Sequence, residues 1–180
     1  MKEIALNILD IAKNSEKAGA SLVEILIDEN ILQNYLAVTV KDNGCGMDAD
    51  FLKDVESPFK TTQSNRKVGL GVPLFKLAAV STGGEFDIKS TLNVGTETFA
   101  KFIHNSIDRM PLGDISATVT TLIMSNPCCE FLLKYTFGGA SFEFDTREIK
   151  TTLSGVPIDT PDIISFLDGY IKENILALKE

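Results

Sequence analysis

Asp42, Asn43, Gly44, Cys45, Gly46 and Met47 follow one another directly after an alternating apolar stretch that begins near Leu36. The two glycines let the backbone take a positive φ or come close to a planar group. Asp42, at the end of the apolar run, offers a carboxylate that can accept a hydrogen bond from an exocyclic amine, which suits adenine. Asp, Asn and Gly also favour turns for local backbone reasons, so an ordinary Asn-Gly turn is the competing reading of this stretch taken alone.

A second pair lies upstream. Asp10 and Asn14 are four positions apart and share a face of a helix. A carboxylate and an amide oxygen one turn apart can orient a water and hold a divalent cation, because Mg2+ bound to phosphates keeps several waters and needs few protein ligands. A solvated polar face of an amphipathic helix is the alternative. Downstream, Ser57, Pro58, Phe59, Lys60, Thr61 and Thr62 lead into Arg66, Lys67, Val68, Gly69, Leu70, Gly71 and Val72. A hydroxyl-rich, basic connector before a glycine-rich helix start offers mobile donors over phosphates and fixed donors beneath them, like a lid and its hinge. One of Lys60, Arg66 and Lys67 is expected to meet phosphate; loop solubility and helix packing account for the same residues in the plainer reading.

The elements that must position these groups are legible in outline. Ile4, Ile8, Ile11 and Ala12 have helical spacing within residues 3–18, and Gly19 supplies a stop. Residues 21–28 and 35–41 read as strands joined antiparallel, with Asp28, Glu29 and Asn30 in the turn region. A short helix over 48–55 precedes the connector, and an apolar helix over 72–80 tolerates Pro73 in its first turn. Strands over 85–90 and 96–104 follow. After Pro111 a helix over 114–124, a hairpin of 131–137 with 141–145 around Gly138 and Gly139, and a final helix within 161–179 are expected. Helices packed on one face of an open mixed sheet bury this order most simply, an α/β two-layer sandwich. Residues 1–105 are expected to form the core, and residues 106–180 an α/β extension packed on it.

The chain has 180 residues, 44% of them hydrophobic, and a formal net charge of -8, which supports a packed globular body. No basic cluster suits a nucleic-acid or anionic-membrane surface, so neither is an expected partner. An acidic protein still binds a nucleotide through backbone N–H groups, helix ends and a metal ion. The beginning does not resemble a signal peptide and no apolar run approaches a membrane span, so a cytoplasmic location is expected. Cys45, Cys128 and Cys129 form neither a disulfide framework nor a zinc spacing, and His104 is the only histidine.

Taken together and in order, these segments resemble the Bergerat-fold ATP-binding superfamily, which includes sensor histidine kinases, anti-sigma-factor kinases, the MutL mismatch-repair ATPases, type II topoisomerase ATPase domains and Hsp90. Asp10 to Ser15, followed by Ala18, Gly19 and Ala20, resembles the N box, and Asp42 to Met47 the G1 box. Pro58 to Thr62 resembles the F-box segment of histidine kinases, and Gly69, Leu70 and Gly71 the G2 box. Gly83, Gly84 and Glu85, then Gly95 to Thr98, resemble the late strand pair of kinase-like members. The resemblance covers residues 4–103.

It implies ATP and Mg2+ as ligand and cofactor. Asn14 would be the Mg2+ ligand, Asp42 the acceptor for the adenine amine, and Gly46 part of the base-pocket floor. Gly69 and Gly71 would shape the phosphate lid and helix start, and Thr96, or alternatively Thr98, would bond near the adenine. The implied nucleotide-binding set also includes Gly44, Met47, Phe59, Lys60, Thr61, Thr62, Lys67 and Leu70. Asp10 stands where hydrolysing and anti-sigma-type members carry Glu, and its carboxylate reaches about one methylene less far. Since a misplacement of roughly 1 Å can cost on the order of a hundredfold in a positioned reaction, ATP binding is better supported than rapid turnover. Only three residues precede the first helix, so a complete sensor kinase is not expected. The readings kept open are a slow ATPase or ATP-gated switch, a Ser/Thr kinase of anti-sigma-factor type, and a non-catalytic nucleotide sensor or scaffold. A regulatory protein partner, bound through residues 106–180, and self-association into a homodimer belong to the same expectations. Asp145, Glu148, Asp159 and Asp162 read as surface or turn residues.

Overall fold

In the computed structural model of this chain, residues 3–55 and 70–180 are described. Helix α1 (Ile4–Lys17) forms where Ile4, Ile8, Ile11 and Ala12 recur at helical spacing, and all four are buried. Its first turn has no side-chain cap. Instead the N–H groups of Ile4 and Ala5 donate to the carbonyls of Pro111 and Leu112 at 3.0 and 2.8 Å, so distant chain satisfies the donors a helix start leaves open.

Strands β1 (Leu22–Asn30) and β2 (Tyr35–Asp42) pair antiparallel and alternate buried with half-buried residues along most of their length. After α2 (Ala49–Val55) and α3 (Gly71–Val80), β3 (Glu85–Thr91) and β4 (Gly95–Ile103) form a hairpin whose second strand pairs antiparallel with β2. Beyond α4 (Ile115–Ser125), β5 (Glu130–Phe137) lies parallel to β1, and β6 (Ala140–Asp145) returns antiparallel beside it. The sheet order is β3-β4-β2-β1-β5-β6. The chain ends with α5 (Thr146–Leu153) and α6 (Pro161–Ala177).

Helix α1 packs on β1 and β2, α3 on β3 and β4, α4 on β5, and α6 on β6 and α4. The core between the layers holds Ile25, Ile27, Leu36, Val38, Phe75, Phe102, Leu122 and Leu133. Each fully buried side chain of this size contributes about 1.5–3 kcal/mol. This is the mixed sheet covered by helices that the hydrophobic patterning implies, and residues 130–145 continue the same sheet rather than start another.

Two local expectations are corrected. Glu29 is not in a turn: β1 continues through Asn30, and the turn falls at 31–34. Glu29 lies at 7% exposure, its carboxylate met by three groups. Tyr135 Oη and Lys179 Nζ donate to Oε2 at 2.6 and 2.8 Å, and His104 Nε2 stands 3.1 Å from Oε1. Second, residues 146–153 form a helix that apolar periodicity does not reveal, being short and rich in threonine. Asp145 is therefore not a turn residue but its N-cap, accepting from the Arg147 N–H at 2.8 Å. An Asp followed three positions later by Glu148 was the available signal. Among the described residues no helix is long and apolar enough to cross a membrane.

Candidate functional site

The register of the sheet builds one wall of a cavity. Asp42 is the last residue of β2 and pairs with Thr96 on β4, which pairs with Ser90 on β3. Strand alternation sends all three side chains to the helix-covered side. Asp42 is held at both carboxylate oxygens: Ser15 Oγ donates to Oδ2 at 2.6 Å, and the Gly44 N–H donates to Oδ1 at 2.9 Å. Each oxygen keeps a further lone pair for a ligand.

The loop after Asp42 is pinned on two sides. Asn43 Oδ1 accepts from the Ser21 and Leu22 N–H groups at 2.9 and 3.0 Å, and the Cys45 N–H donates to the Ala18 carbonyl at 2.9 Å. On the other side the Asn93 N–H donates to the Cys45 carbonyl at 2.7 Å, and the Met47 N–H donates to Ser90 Oγ at 2.8 Å. Gly46 is the position where glycine is required. Its φ is +62°, and a Cβ there would lie 2.0 Å from the Thr91 carbonyl oxygen.

These elements enclose a cavity of about 360 Å³. Asn14, Ser15, Asp42, Thr96 and Thr98 give it polar groups, and Ile11, Val55, Val72 and Ile88 give it apolar walls. The size and the few convergent polar groups suit a small planar ligand. Gly46 and Met47 line it too, as do the exposed Cys45 and Lys17.

A second cluster sits where α1 meets the start of α3. A Cβ on Gly71 would lie 3.4 Å from Asp10 Cβ, 3.5 Å from Asp10 Oδ2 and 3.6 Å from Asn14 Nδ2. The first residue of α3 therefore abuts the exposed polar face of α1, with no side chain of its own between them. An oxygen donor, an amide and a bare helix start are suitable chemistry for a hydrated divalent cation and phosphate oxygens.

Of the residues singled out in the sequence, Asn14, Asp42, Gly46, Met47 and Thr96 line the cavity, and Asp10 with Gly71 forms the adjoining cluster. Gly44 is buried beneath the loop as the donor to Asp42, and Leu70 precedes α3 at 60% exposure without lining the cavity. Phe59, Lys60, Thr61, Thr62, Lys67 and Gly69 lie outside the described residues. Sequence reasoning gave Ser15 no role of its own and passed over Ser90. The stripe Ile4, Ile8, Ile11, Ser15 carried a signal for the first, since a hydroxyl in an apolar stripe needs a buried partner.

Residues 1–107 match the family described as histidine kinase-, DNA gyrase B-, and HSP90-like ATPase. The chain belongs to this family. Its core is thus an ATP-binding domain of the family that also holds the DNA gyrase B-like and HSP90-like ATPases. A stretch of 98 residues is 34% identical to a putative sensor protein of Shewanella frigidimarina (strain NCIMB 400), covering 54% of this chain and 15% of that protein. In fold, the chain is similar to the Aquifex aeolicus MutL ATPase domain complexed with ADP, with a TM-score of 0.57 at 15% identity, over 81% of this chain and 63% of that one. It is also similar to the N-terminal domain of a DNA repair protein, with a TM-score of 0.52 at 14% identity, over 79% of this chain and 52% of that one. The chain accordingly spans less than two thirds of each of these relatives. The family match ends before α4, so α4, β5, β6, α5 and α6 lie beyond it although β5 pairs directly with β1.

Proposed function

We propose that this protein binds ATP together with Mg2+ and acts as a slow ATPase or ATP-gated switch on a protein partner. The observation that carries the reading is the Asp42 carboxylate, fixed by Ser15 and Gly44 beside Thr96 on the wall of the 360 Å³ cavity. A carboxylate held in this way accepts from the adenine amine without first reorganising, while Ile11, Val72 and Ile88 flank the ring. Backbone N–H groups at the start of α3 favour phosphate oxygens. Asn14 would hold Mg2+ through its amide oxygen, and the metal, when bound, supplies positive charge that offsets the phosphates. Asp10 orients a water and draws on its proton. Its reach, one methylene shorter than that of Glu, favours slow turnover over fast.

The test is calorimetric titration of ATP and ADP, with and without Mg2+, on the wild type and Asp42→Asn. Mg-dependent ATP binding that is lost in the variant supports the reading. A folded wild type that binds neither nucleotide removes it.

A second reading is phosphoryl transfer to a Ser or Thr of a protein partner, favoured by the 34% identity over 98 residues to a putative sensor protein. Radiolabel appearing on a partner, rather than as free phosphate, would separate it from hydrolysis. In either reading residues 106–180 are the partner-facing part.

A further inference from the structure

Ser90 lies on β3 opposite Thr96, and its Oγ has three polar neighbours. The Met47 N–H donates to it at 2.8 Å, the Gly95 carbonyl oxygen is 3.0 Å away, and Thr96 Oγ1 is 2.9 Å away. A serine hydroxyl has one proton and two lone pairs. The carbonyl can only accept, so the Ser90 proton goes to Gly95. Met47 occupies one lone pair. The second is left to accept from Thr96, and this assignment satisfies every group in the cluster.

The consequence falls on the pocket. Thr96 spends its only proton on Ser90 and turns its lone pairs outward, beside the Asp42 carboxylate to which it is paired across the sheet. The base edge then meets two acceptors in a row. An exocyclic amine satisfies that row, whereas a carbonyl at the same ring position turns lone pairs against lone pairs.

We propose that Ser90 is a positioning residue that fixes Thr96 as an acceptor and so makes the pocket select a purine with an exocyclic 6-amine over a 6-oxopurine. The inference rests on the ATP-binding reading above. Removing the Ser90 hydroxyl frees the Thr96 proton to swing into the pocket and donate to a 6-oxo group.

The experiment is to measure the affinities of ATP and inosine triphosphate for the full chain by calorimetry, comparing wild type, Ser90→Ala, Ser90→Thr and Thr96→Val. The wild type is expected to prefer ATP. Ser90→Ala should narrow the preference about five- to tenfold, the range one hydrogen bond accounts for, chiefly by gaining affinity for the inosine nucleotide. Ser90→Thr should restore it. Thr96→Val, which lacks the acceptor, should narrow it as well and keeps the test available if Ser90→Ala fails to fold. Equal weakening of both nucleotides in the Ser90 and Thr96 variants, or an unchanged ratio, would overturn the inference and leave the ATP-binding reading intact. A wild type that binds no ATP would remove both.

Discussion

Ser15 Oγ lies 2.6 Å from Asp42 Oδ2, joining the apolar stripe of α1 to the last residue of β2. Ser15 is at 3% exposure, so this bond does not compete with bulk water. It fixes the carboxylate that the proposed function places against the adenine amine. Ser15→Ala is expected to weaken ATP binding about five- to tenfold with little change in melting temperature, because the Gly44 N–H still holds the other oxygen. Unchanged affinity would mean that the hydroxyl does not orient Asp42.

Gly46→Ala should be strongly destabilising. The new methyl would meet the Thr91 carbonyl at 2.0 Å; that carbonyl is backbone of the paired β3–β4 hairpin, and hydrogen bonds of Cys45 and Met47 pin the loop that carries Gly46, so neither side moves cheaply. Left-handed strain alone costs on the order of 1–3 kcal/mol, and the clash adds to it. Urea denaturation monitored by circular dichroism gives the loss directly.

Gly71 separates space from conformation. Its extra Cβ would meet Asp10 at 3.4 Å, which is ordinary contact, so Gly71→Ala is expected to fold and to bind Mg-ATP within about threefold of wild type. Gly71→Val drives branched methyls between α1 and α3 and should lower Mg-ATP affinity about tenfold or more. Calorimetry of the two variants side by side reads the difference.

Glu29 predicts a pH dependence. Burial pushes its carboxyl up, but hydrogen bonds from Lys179, Tyr135 and His104 outweigh this and hold it below the ordinary 4.5. The stabilisation is therefore fully present above that ordinary value and is lost as pH falls through the lower folded one. Glu29→Gln should flatten the fall in melting temperature between about pH 5 and about pH 3 relative to wild type. Some slope should remain, since Asp114 is also depressed by the Ala117 N–H and Ser116 hydroxyl, and Asp145 by Arg147.

The caps test whether the C-terminal elements are coupled to the core. Asp114 accepts from the Ala117 N–H at 3.0 Å and Asp145 from the Arg147 N–H at 2.8 Å. Asp114→Ala and Asp145→Ala should each cost about 1 kcal/mol. Because α4 packs on α1 and β5 pairs with β1, the loss should appear in a single unfolding transition seen by every probe.

Local pattern in the sequence determined the periods of α1, β1 and β2, the glycine turn after Asp42, and the shared face of Asp10 and Asn14. Each depends on spacing within a few residues, which a helix or strand converts directly into geometry. It also carried the ordered segments behind the family assignment. Tertiary structure alone decided which distant groups meet. Placing β5 beside β1, aligning Asp42 with Thr96 and Ser90, and bringing Ser15 to Asp42 are matters of non-local pairing and register, and a one-residue slip would turn each side chain to the other face. Glu29 shows the same limit. Read locally it suits a turn, and only Tyr135, His104 and Lys179 arriving from elsewhere in the chain make a buried carboxylate stable there.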